Sequence, residues 1–401
     1  MLSARETAER LGIKLDTLYA YVSRGQLRSI EIAESRERRY DADDVERFRA
    51  TRGGLRAGRI QAEALVPVIG SAICLIENHR IYYRGEDALR LADTATLEEV
   101  AAILWDAPAT TEATTEAPTL PRTRGRKNSE RGVEAAARLG LIEQCQIRLA
   151  IVAPTDLAAL DLTQGGVART GRRILGELAA CLAACLGGTG TSRSPIHAQL
   201  ANAWRLADAD ADLVRRCLVL LADHELNAST FVARCIASTG ATPYAVVTGA
   251  IAALSGRKHG GASARAEALF RELGDAADPM PAMAARLARD EDLPGIGQPL
   301  YPEGDPRALA IIEALVKARP QAGARVAAAA VAAMQLTGGF PNIDFALGAA
   351  TTVLGLPPGT ALGLFLLARS VGWIAHAIEQ YESGVLIRPR ARYMGRRPIK
   401  E

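Results

Sequence analysis

The stretch Ala253-Leu-Ser-Gly-Arg-Lys-His-Gly-Gly261 interrupts a long run of Ala- and Leu-rich sequence with basic residues, a histidine and three glycines. The glycines let the backbone turn sharply and come close to a ligand. His259 stands among them, and imidazole titrates near neutral pH without help from its surroundings. The stretch therefore predicts a turn between two helices and a candidate site, although a histidine in such a place is by itself more often structural than catalytic.

The sequence on both sides of this turn has mainly helical periodicity, and after residue 65 a β region is predicted only at Ser71 to Tyr83. The longest apolar stretch, Phe345 to Ala375, contains Pro357-Pro358 and also Arg369. A proline pair ends a helix and a charge is costly in lipid, so this stretch predicts two buried helices and no membrane span. The expected fold class is mainly α.

The composition excludes several classes of protein. The chain has 401 residues, of which 49% are hydrophobic, 23% charged and 4% aromatic, and its net charge is +3. These values exclude a disordered chain, a basic nucleic-acid coat and an aromatic platform for single strands. The six cysteines have apolar neighbours and form no CxxC pair, and the charges of Arg5, Glu6 and Glu9 interrupt any secretory signal. We expect a soluble cytoplasmic protein with free thiols.

Residues 1–52 form a separate predicted unit. Ser3-Ala-Arg-Glu6 is a capping box that starts a helix, a second helix follows from Asp16, residues 28–40 are β-like, and a third helix opens at Asp41. Helix, tight turn and helix is the arrangement that places a second helix in the major groove of DNA. The unit resembles the winged-helix DNA-binding domains of the excisionase and MerR type.

That resemblance implies DNA contact through four side chains. It rests on four segments, which are Ser3-Ala-Arg-Glu-Thr-Ala-Glu-Arg-Leu-Gly12, Thr17-Leu-Tyr-Ala-Tyr21, Arg24-Gly25 and Arg39-Tyr40-Asp41-Ala-Asp-Asp-Val45. The implied DNA-binding residues are Thr17, Tyr19, Arg38 and Arg39. Positive and negative residues nearly balance in this unit and such modules also serve dimerisation, so a structural role is the alternative. Residues 53–64, rich in Gly and Arg, are a predicted linker to a second domain at 65–401.

The second domain contains none of the common catalytic signatures. It has no Gly-x-Ser-x-Gly elbow, no His/Cys set with metal spacing and no phosphate-loop lysine motif. We expect no metal site and no bound cofactor. Asp223-His224-Glu225 is a dense polar cluster in an apparently apolar helix, where burial is costly without partners. His376 is predicted to be a core or interface histidine.

Several ordered motifs closely resemble the citrate synthase family. They are Tyr82-Tyr-Arg-Gly85, Thr96-Leu-Glu-Glu-Val100, Asp223-His-Glu-Leu-Asn-Ala-Ser-Thr230, Ala253-Leu-Ser-Gly-Arg-Lys-His-Gly-Gly261, Gly295-Ile-Gly-Gln-Pro-Leu-Tyr301, Asp305-Pro-Arg307, Pro341-Asn-Ile-Asp-Phe345, Ala368-Arg-Ser-Val-Gly-Trp373 and Arg388-Pro-Arg390. The resemblance covers residues 65 to 401 and implies the citrate synthase fold. That fold is a homodimer in which each chain has a large helical domain and a smaller helical domain, here at about residues 262–365.

The resemblance also implies an acyltransferase, in which an acyl-CoA co-substrate condenses with a 2-oxo acid, typically acetyl-CoA with oxaloacetate, as in the tricarboxylic acid cycle. Asp344 matches the base that removes a proton beside the thioester, and His259 matches the donor to the enolate oxygen. Substrate carboxylates are held by Arg307, Arg369 and Arg388, the last reaching across the dimer, and His224 is a further contact to the 2-oxo acid. From the residues alone, Asn342 and Asp344 could both cap a helix.

The match departs from the family pattern at four positions. Gln298 replaces the histidine that polarises and helps protonate the acceptor carbonyl, and an amide donates a hydrogen bond but carries no proton or positive charge. Leu221 replaces another common histidine, Ser263 replaces an asparagine, and Pro302 replaces a basic residue that meets the CoA phosphates. We predict condensation weakened at Gln298.

Three hypotheses follow. The first is a citrate synthase-like acyltransferase with Asp344, His259 and Gln298 as its catalytic residues. The second is a DNA-binding regulator whose degenerate synthase body senses a 2-oxo acid or acyl-CoA by domain closure. The third is a paralogue that condenses a different acyl-CoA or acceptor. A two-fold body could present two recognition helices to a palindromic site in any of them.

Overall fold

The chain divides into two compact units, Met1–Gly70 and Ser71–Glu401. The computed structural model describes residues 2–11, 15, 18, 22, 29–31, 38–42, 45, 69–108, 139–185, 194–391, 393 and 395. The sequence places a linker at 53–64 and a second domain from 65, and the smaller subdomain at about 262–365 stays a prediction.

The first unit contains a short antiparallel sheet and a helix. Strands β1 (Leu2–Ser3), β2 (Ile30–Glu31) and β3 (Arg38–Tyr40) pair with β3 in the centre, and α1 (Ala4–Leu11) follows β1. The predicted capping box is confirmed, because the Ser3 backbone N–H donates to the Glu6 carboxylate at 2.8 Å and the Glu6 N–H donates to the Ser3 hydroxyl at 3.3 Å. The small core of this unit consists of Ala8, Leu18, Tyr40 and Val45.

The second unit begins with a three-stranded antiparallel sheet of β4 (Cys74–Glu77), β5 (Arg80–Tyr83) and β6 (Glu86–Asp87), with β5 in the centre. This confirms the β region predicted at Ser71 to Tyr83. Tyr83 anchors the sheet to the helical core, since its buried hydroxyl donates to the Val219 carbonyl at 3.1 Å.

The rest of the described second unit is mainly helical, which confirms the mainly α fold class. Its α-helices are α2 (Ala88–Thr94), α3 (Leu97–Trp105), α4 (Leu141–Val152), α5 (Gln164–Cys185), α6 (Ile196–Ala203), α7 (Asp208–Leu221), α8 (Ala228–Ala237), α9 (Pro243–Leu254), α10 (Gly261–Leu273), α11 (Met280–Ala288), α12 (Pro306–Ala318), α13 (Pro320–Thr337), α14 (Ile343–Val353) and α15 (Thr360–Ser383). Two short 3-10 helices, Ala153–Thr155 and Leu157–Leu160, follow α4.

Helix α15 is the central element of the core. It is long and apolar enough to cross a membrane by length and composition, but 94% of its most apolar window is buried inside the protein. Burial in a protein core accounts for an all-round apolar helix. The prediction of two buried helices is confirmed, since α14 ends at Val353 and α15 begins at Thr360, after the proline pair.

Helices α10 and α14 pack closely near their N-terminal ends. A Cβ atom at Gly348 would lie 2.6 Å from the carbonyl carbon of Ala266, so only glycine permits this approach. Ser263 in the first turn of α10 also contacts Asp344 in the first turn of α14. The packing therefore brings together the segments that carry His259 and Asp344.

Candidate active site

Asp344 lies in the first turn of α14, where Asn342 rather than Asp344 is the cap. The Asn342 side chain accepts the Asp344 N–H at 2.9 Å, which leaves the Asp344 carboxylate for other contacts. The Ser263 hydroxyl donates to one oxygen of that carboxylate. Burial raises the pKa of Asp344, and the Ser263 hydrogen bond and the charge of Arg307 oppose this shift.

His259 lies in the tight turn between α9 and α10, as predicted. Its Nε2 is 2.8 Å from the Ser229 hydroxyl, which also receives the indole N–H of Trp373 at 3.1 Å. Its ring packs edge-on against Phe365 with ring centres 5.7 Å apart. Burial, helped by the charge of Arg369, lowers the pKa of His259 to about 4, so the imidazole is neutral at pH 7.

His224 lies in a turn after α7 and not within a helix, so the helical placement of this cluster was wrong. The turn requires a left-handed residue, Glu225, with a φ of 52°. His224 is buried, and its Nε2 lies 3.2 Å from the Tyr301 hydroxyl. Burial, with the charges of Arg307 and Arg369, lowers the pKa of His224 well below its ordinary value.

Gln298 lies in a loop that is tied to the segment before α14. The Gly297 N–H donates to the Phe340 carbonyl at 2.7 Å, and the Asn342 side chain donates to the Gly297 carbonyl at 2.9 Å. Gly295 has a φ of 83°, and a Cβ there would lie 2.5 Å from the Phe345 nitrogen, so glycine is needed for both reasons. The loop thus holds Gln298, which is half-buried, close in space to the helix start that carries Asp344.

Arg307 is buried and forms a fork with Asp305. Its Nε and Nη2 donate to the two carboxylate oxygens at 3.0 and 2.7 Å, and its guanidinium lies over the Tyr301 ring at 5.5 Å. Asp305 also accepts the Ile343 N–H at 3.1 Å, so it joins the starts of α12 and α14. The Asp305 charge raises the pKa of Arg307 against the effect of burial, so the guanidinium is charged.

Arg369 is a buried cation with free hydrogen-bonding capacity. Its Nε donates to the Leu221 carbonyl at 2.8 Å, and its guanidinium lies over the Phe365 ring at 4.8 Å. Its Nη1 has no hydrogen-bond partner among the described residues. A buried guanidinium with an unpaired N–H is suited to binding an anion.

Arg388 is exposed in the extended segment that follows α15, and no contact described in the single chain brings it to the other site residues. The charges of the two buried arginines shift the pKa values of three other site residues. Arg369 acts on His224, His259 and Asp344, and Arg307 acts on His224 and Asp344.

Sequence reasoning missed Tyr301 and Ser229, each of which contacts a site histidine. Both stand inside motifs used for the family resemblance, and that position was the available signal. Within the part of the chain that the structure describes, no group of three His, Cys, Asp or Glu residues could hold a metal ion.

The predicted DNA-binding residues are only partly described. Thr17 and Tyr19 lie outside the described residues, and so does the Arg38 side chain. Arg39 lies in the central strand β3, opposite Ser3 and Ile30. DNA contact through this unit stays a prediction.

Comparisons with known proteins identify relatives of both units of the chain. A family model described as citrate synthase, C-terminal domain, matches residues 64–390, and a helix-turn-helix domain model matches residues 1–53. The 2-methylcitrate synthase of Mycobacterium tuberculosis is 39% identical over 185 residues, which cover 44% of this chain and 47% of that protein. The citrate synthase of Mycolicibacterium smegmatis is 30% identical over 344 residues, which cover 80% of this chain and 90% of that protein.

The chain matches about half the length of the 2-methylcitrate synthase above. Solved structures share the fold over most of the second unit. The citrate synthase of Thermotoga maritima superposes with a TM-score of 0.68 at 25% identity, covering 84% of this chain and 96% of that chain. That of Thermoplasma acidophilum, in ternary complex with carboxymethyl coenzyme A and oxaloacetate, superposes with a TM-score of 0.63 at 23% identity, covering 85% and 97%. The extent of the family match, the shared fold and the arrangement of the site lead to one conclusion: this chain belongs to the citrate synthase family.

Proposed function

We propose that the protein is a citrate synthase-like acyltransferase that condenses an acyl-CoA, acetyl-CoA or propionyl-CoA, with oxaloacetate. The observation that carries this proposal is the pairing of Asp344 with Ser263 at the start of α10, the helix that follows the His259 turn. A carboxylate of raised pKa and a neutral imidazole are thereby held at the same helix end. These are the two groups that enolisation of a thioester requires.

The acyl half of the site consists of Asp344, His259 and the serines that hold them, Ser263 and Ser229. The Ser229 hydroxyl has two acceptors within reach, His259 Nε2 at 2.8 Å and Asn227 Oδ1 at 2.9 Å. In the proposed reaction it donates to His259 Nε2. In that arrangement the His259 proton is on Nδ1, where it can be donated to the thioester oxygen.

In this proposal the Asp344 carboxylate takes a proton from the carbon beside the thioester, and the negative charge moves to the oxygen that His259 holds. The enolate carbon then bonds to the acceptor carbonyl carbon. Water cleaves the resulting thioester, which releases the free thiol of CoA and a tricarboxylate. A neutral His259 suits this step because its N–H interacts most strongly with the oxygen when negative charge develops there in the transition state.

The acceptor half of the site consists of Gln298, His224, Tyr301, Arg307 and Arg369. The unpaired Nη1 of Arg369 supports binding of one acceptor carboxylate. Gln298 can donate one hydrogen bond to the acceptor carbonyl, but its amide cannot supply the proton that the product alkoxide takes up. We therefore infer that condensation is slower than enolisation in this protein.

The proposal includes a homodimer in the cytoplasm. Leu157 and Leu160, in the 3-10 helix that follows α4, are 77% and 70% exposed, and Ile147 and Ile151 on α4 are also exposed. Exposed apolar side chains such as these are available to be covered by a partner. In such a dimer Arg388 would complete the partner's site.

The test is release of free thiol from acetyl-CoA or propionyl-CoA by the full chain, with and without oxaloacetate, together with mass analysis of the product. Thiol release that depends on oxaloacetate, with formation of the tricarboxylate, is expected. Failure of both acyl-CoAs to release thiol, together with unchanged acetyl-CoA methyl protons in D2O, would overturn the proposal.

A second candidate function, a regulator that senses the acceptor and binds DNA, is favoured by the helix-turn-helix match at residues 1–53. Its test is salt-dependent binding of the full chain to duplex DNA, with and without oxaloacetate. Binding that weakens in the Arg38→Ala and Arg39→Ala variants is expected. DNA affinity that neither substitution changes would remove this role.

A further inference from the structure

One face of α15 contacts three successive residues, 221–223. Arg369 Nε donates to the Leu221 carbonyl at 2.8 Å, and the Gly372 N–H donates to the Ala222 carbonyl at 3.0 Å. His376 Nε2 lies 3.4 Å from the Asp223 carboxylate. Residues spaced by three, four and seven positions share one face of a helix. Arg369 and His376 are therefore parts of one surface, against which the turn that carries His224 is seated.

The surroundings of His376 determine where its proton lies. The ring is fully buried, and its Nδ1 is 3.4 Å from Arg234 Nη1. A guanidinium has only donors, so Nδ1 must accept and must be unprotonated. A ring N–H is then on Nε2, which faces the Asp223 carboxylate.

Arg234 is itself held firmly in this position. It is 3% exposed, pairs with Glu379, and donates to the Gln380 side chain at 2.9 Å. Glu379 in turn accepts the Ala72 N–H at 2.7 Å. The orientation of His376 is therefore imposed by groups outside the acceptor half.

Asp223 is fully buried and has few partners of its own. One oxygen accepts the Glu225 N–H at 3.1 Å and lies 3.5 Å from His376 Nε2, and the other has no hydrogen bond among the described residues. The second oxygen would lie 2.3 Å from a Cβ at position 372, so Gly372 makes room for it. Among the charges near Arg369, that of Asp223 most opposes the lowering of the Arg369 pKa by burial, yet no ion pair joins these two described residues.

We propose that His376 is a positioning residue of the acceptor half, which holds the Asp223 carboxylate so that Asp223 supports the His224 turn without pairing with Arg369. Arg369 Nη1 then stays available for a carboxylate of the acceptor. Without the imidazole, a buried carboxylate that keeps only one N–H donor would turn to the neighbouring guanidinium, because an unpaired buried charge is costly. An arginine paired in that way would bind an acceptor anion less tightly.

This inference rests on the proposed function, and it is tested by binding to the full chain. Calorimetry of oxaloacetate with His376→Leu is expected to show affinity weakened by about tenfold or more. The reason is that Arg369 Nη1 no longer forms a charge-assisted hydrogen bond with the acceptor carboxylate. The affinity for acetyl-CoA should stay unchanged. His376→Gln should bind oxaloacetate within about threefold of the unaltered chain, because its amide can accept from Arg234 and donate to Asp223.

A matched control separates positioning from loss of stability. Tyr244→Phe removes another buried hydrogen bond to a carboxylate, from the Tyr244 hydroxyl to Asp156 at 2.8 Å, outside the acceptor half. It should lower the melting temperature without changing the affinity for oxaloacetate. Equal oxaloacetate affinity in His376→Leu and the unaltered chain, or equal losses for oxaloacetate and acetyl-CoA, would overturn the positioning role.

A crystal structure of His376→Leu keeps this inference apart from the proposed function. The Asp223 carboxylate is expected to form an ion pair with Arg369 in that variant, whether or not the protein turns over acyl-CoA. An Asp223 side chain that has not moved contradicts the inference. Absence of oxaloacetate binding by the unaltered chain counts against the proposed acceptor instead.

Discussion

The acyl half and the acceptor half of the candidate site differ in how well they are equipped for their chemistry. In the acyl half, Asp344 and His259 each have a serine partner, and burial shifts the pKa of both in the direction that enolisation requires. In the acceptor half, Arg369 has an unpaired N–H, whereas Gln298, at the position where the family resemblance implies an acid–base histidine, is an amide. The comparison teaches that proton removal and carbon–carbon bond formation can be tested as separate steps.

The largest expected effect is that of Asp344→Asn. Loss of the base should lower both acetyl-CoA methyl exchange in D2O and acceptor-dependent thiol release by about 10³- to 10⁴-fold. Exchange is followed by NMR with malate as the acceptor analogue, because malate has a hydroxyl in place of the ketone that the enolate would attack. Asp208→Asn, which removes an exposed carboxylate from the first turn of α7, is the control. Exchange that survives in Asp344→Asn would contradict the assignment of the base.

The next effect tests the acceptor half alone. Gln298→His should raise thiol release with oxaloacetate by on the order of 10²- to 10³-fold, because an imidazole can supply a proton to the product alkoxide. Methyl exchange with malate should stay the same. An equal rise in both rates would show that the two halves are not separable, and no rise would show that Gln298 is not the weak point.

His259→Ala is expected to act on the acyl half, with a smaller effect. Loss of the donor to the enolate oxygen should slow methyl exchange by about 10²-fold. Calorimetry should show unchanged oxaloacetate binding, because His259 contacts Ser229 rather than the acceptor half. Weakened oxaloacetate binding with normal exchange would move His259 to the other half.

The smallest expected effect is a displacement of the pH profile. Exchange needs a deprotonated Asp344, so the rate should fall as the pH decreases through the raised pKa of this residue. The Ser263 hydroxyl stabilises the carboxylate, so its removal in Ser263→Ala raises the pKa further and moves the acid limb to higher pH. Ser263→Asn keeps a donor and should move the limb less. His259, with a pKa lowered to about 4, remains neutral over most of this range.

Much of the local structure could be predicted because its causes lie within a few residues. The Ser3 and Glu6 capping box, the strands between Ser71 and Tyr83, and the break before Thr360 all depend on neighbouring side chains or prolines. The helical placement of His224 failed because the apolar pattern of α7 continues to Leu221, whereas Glu225 takes a left-handed conformation that the pattern does not reveal.

The partners of the site residues could not be predicted in the same way. The residues alone left both Asn342 and Asp344 as possible caps, and the structure assigns the cap to Asn342. Arg307 is predicted to hold substrate carboxylates, and the pairing of its Nε and Nη2 with Asp305 was not predicted. His376 was predicted to be a core or interface histidine, and it is fully buried, but its contacts with Arg234 and Asp223 came only from the packing of α15.

By itself, the sequence determined the start of α1, the break between α14 and α15, and which side chains have the chemistry for enolisation. Caps, periodicity and side-chain chemistry act over one or two turns of chain, so the order of residues is enough to specify them. Only the tertiary structure decided that Ser263 meets Asp344, 81 residues away, and that Ser229 meets His259, 30 residues away. Those contacts depend on how buried helices pack, and the same burial shifts the pKa values of Asp344 and His259.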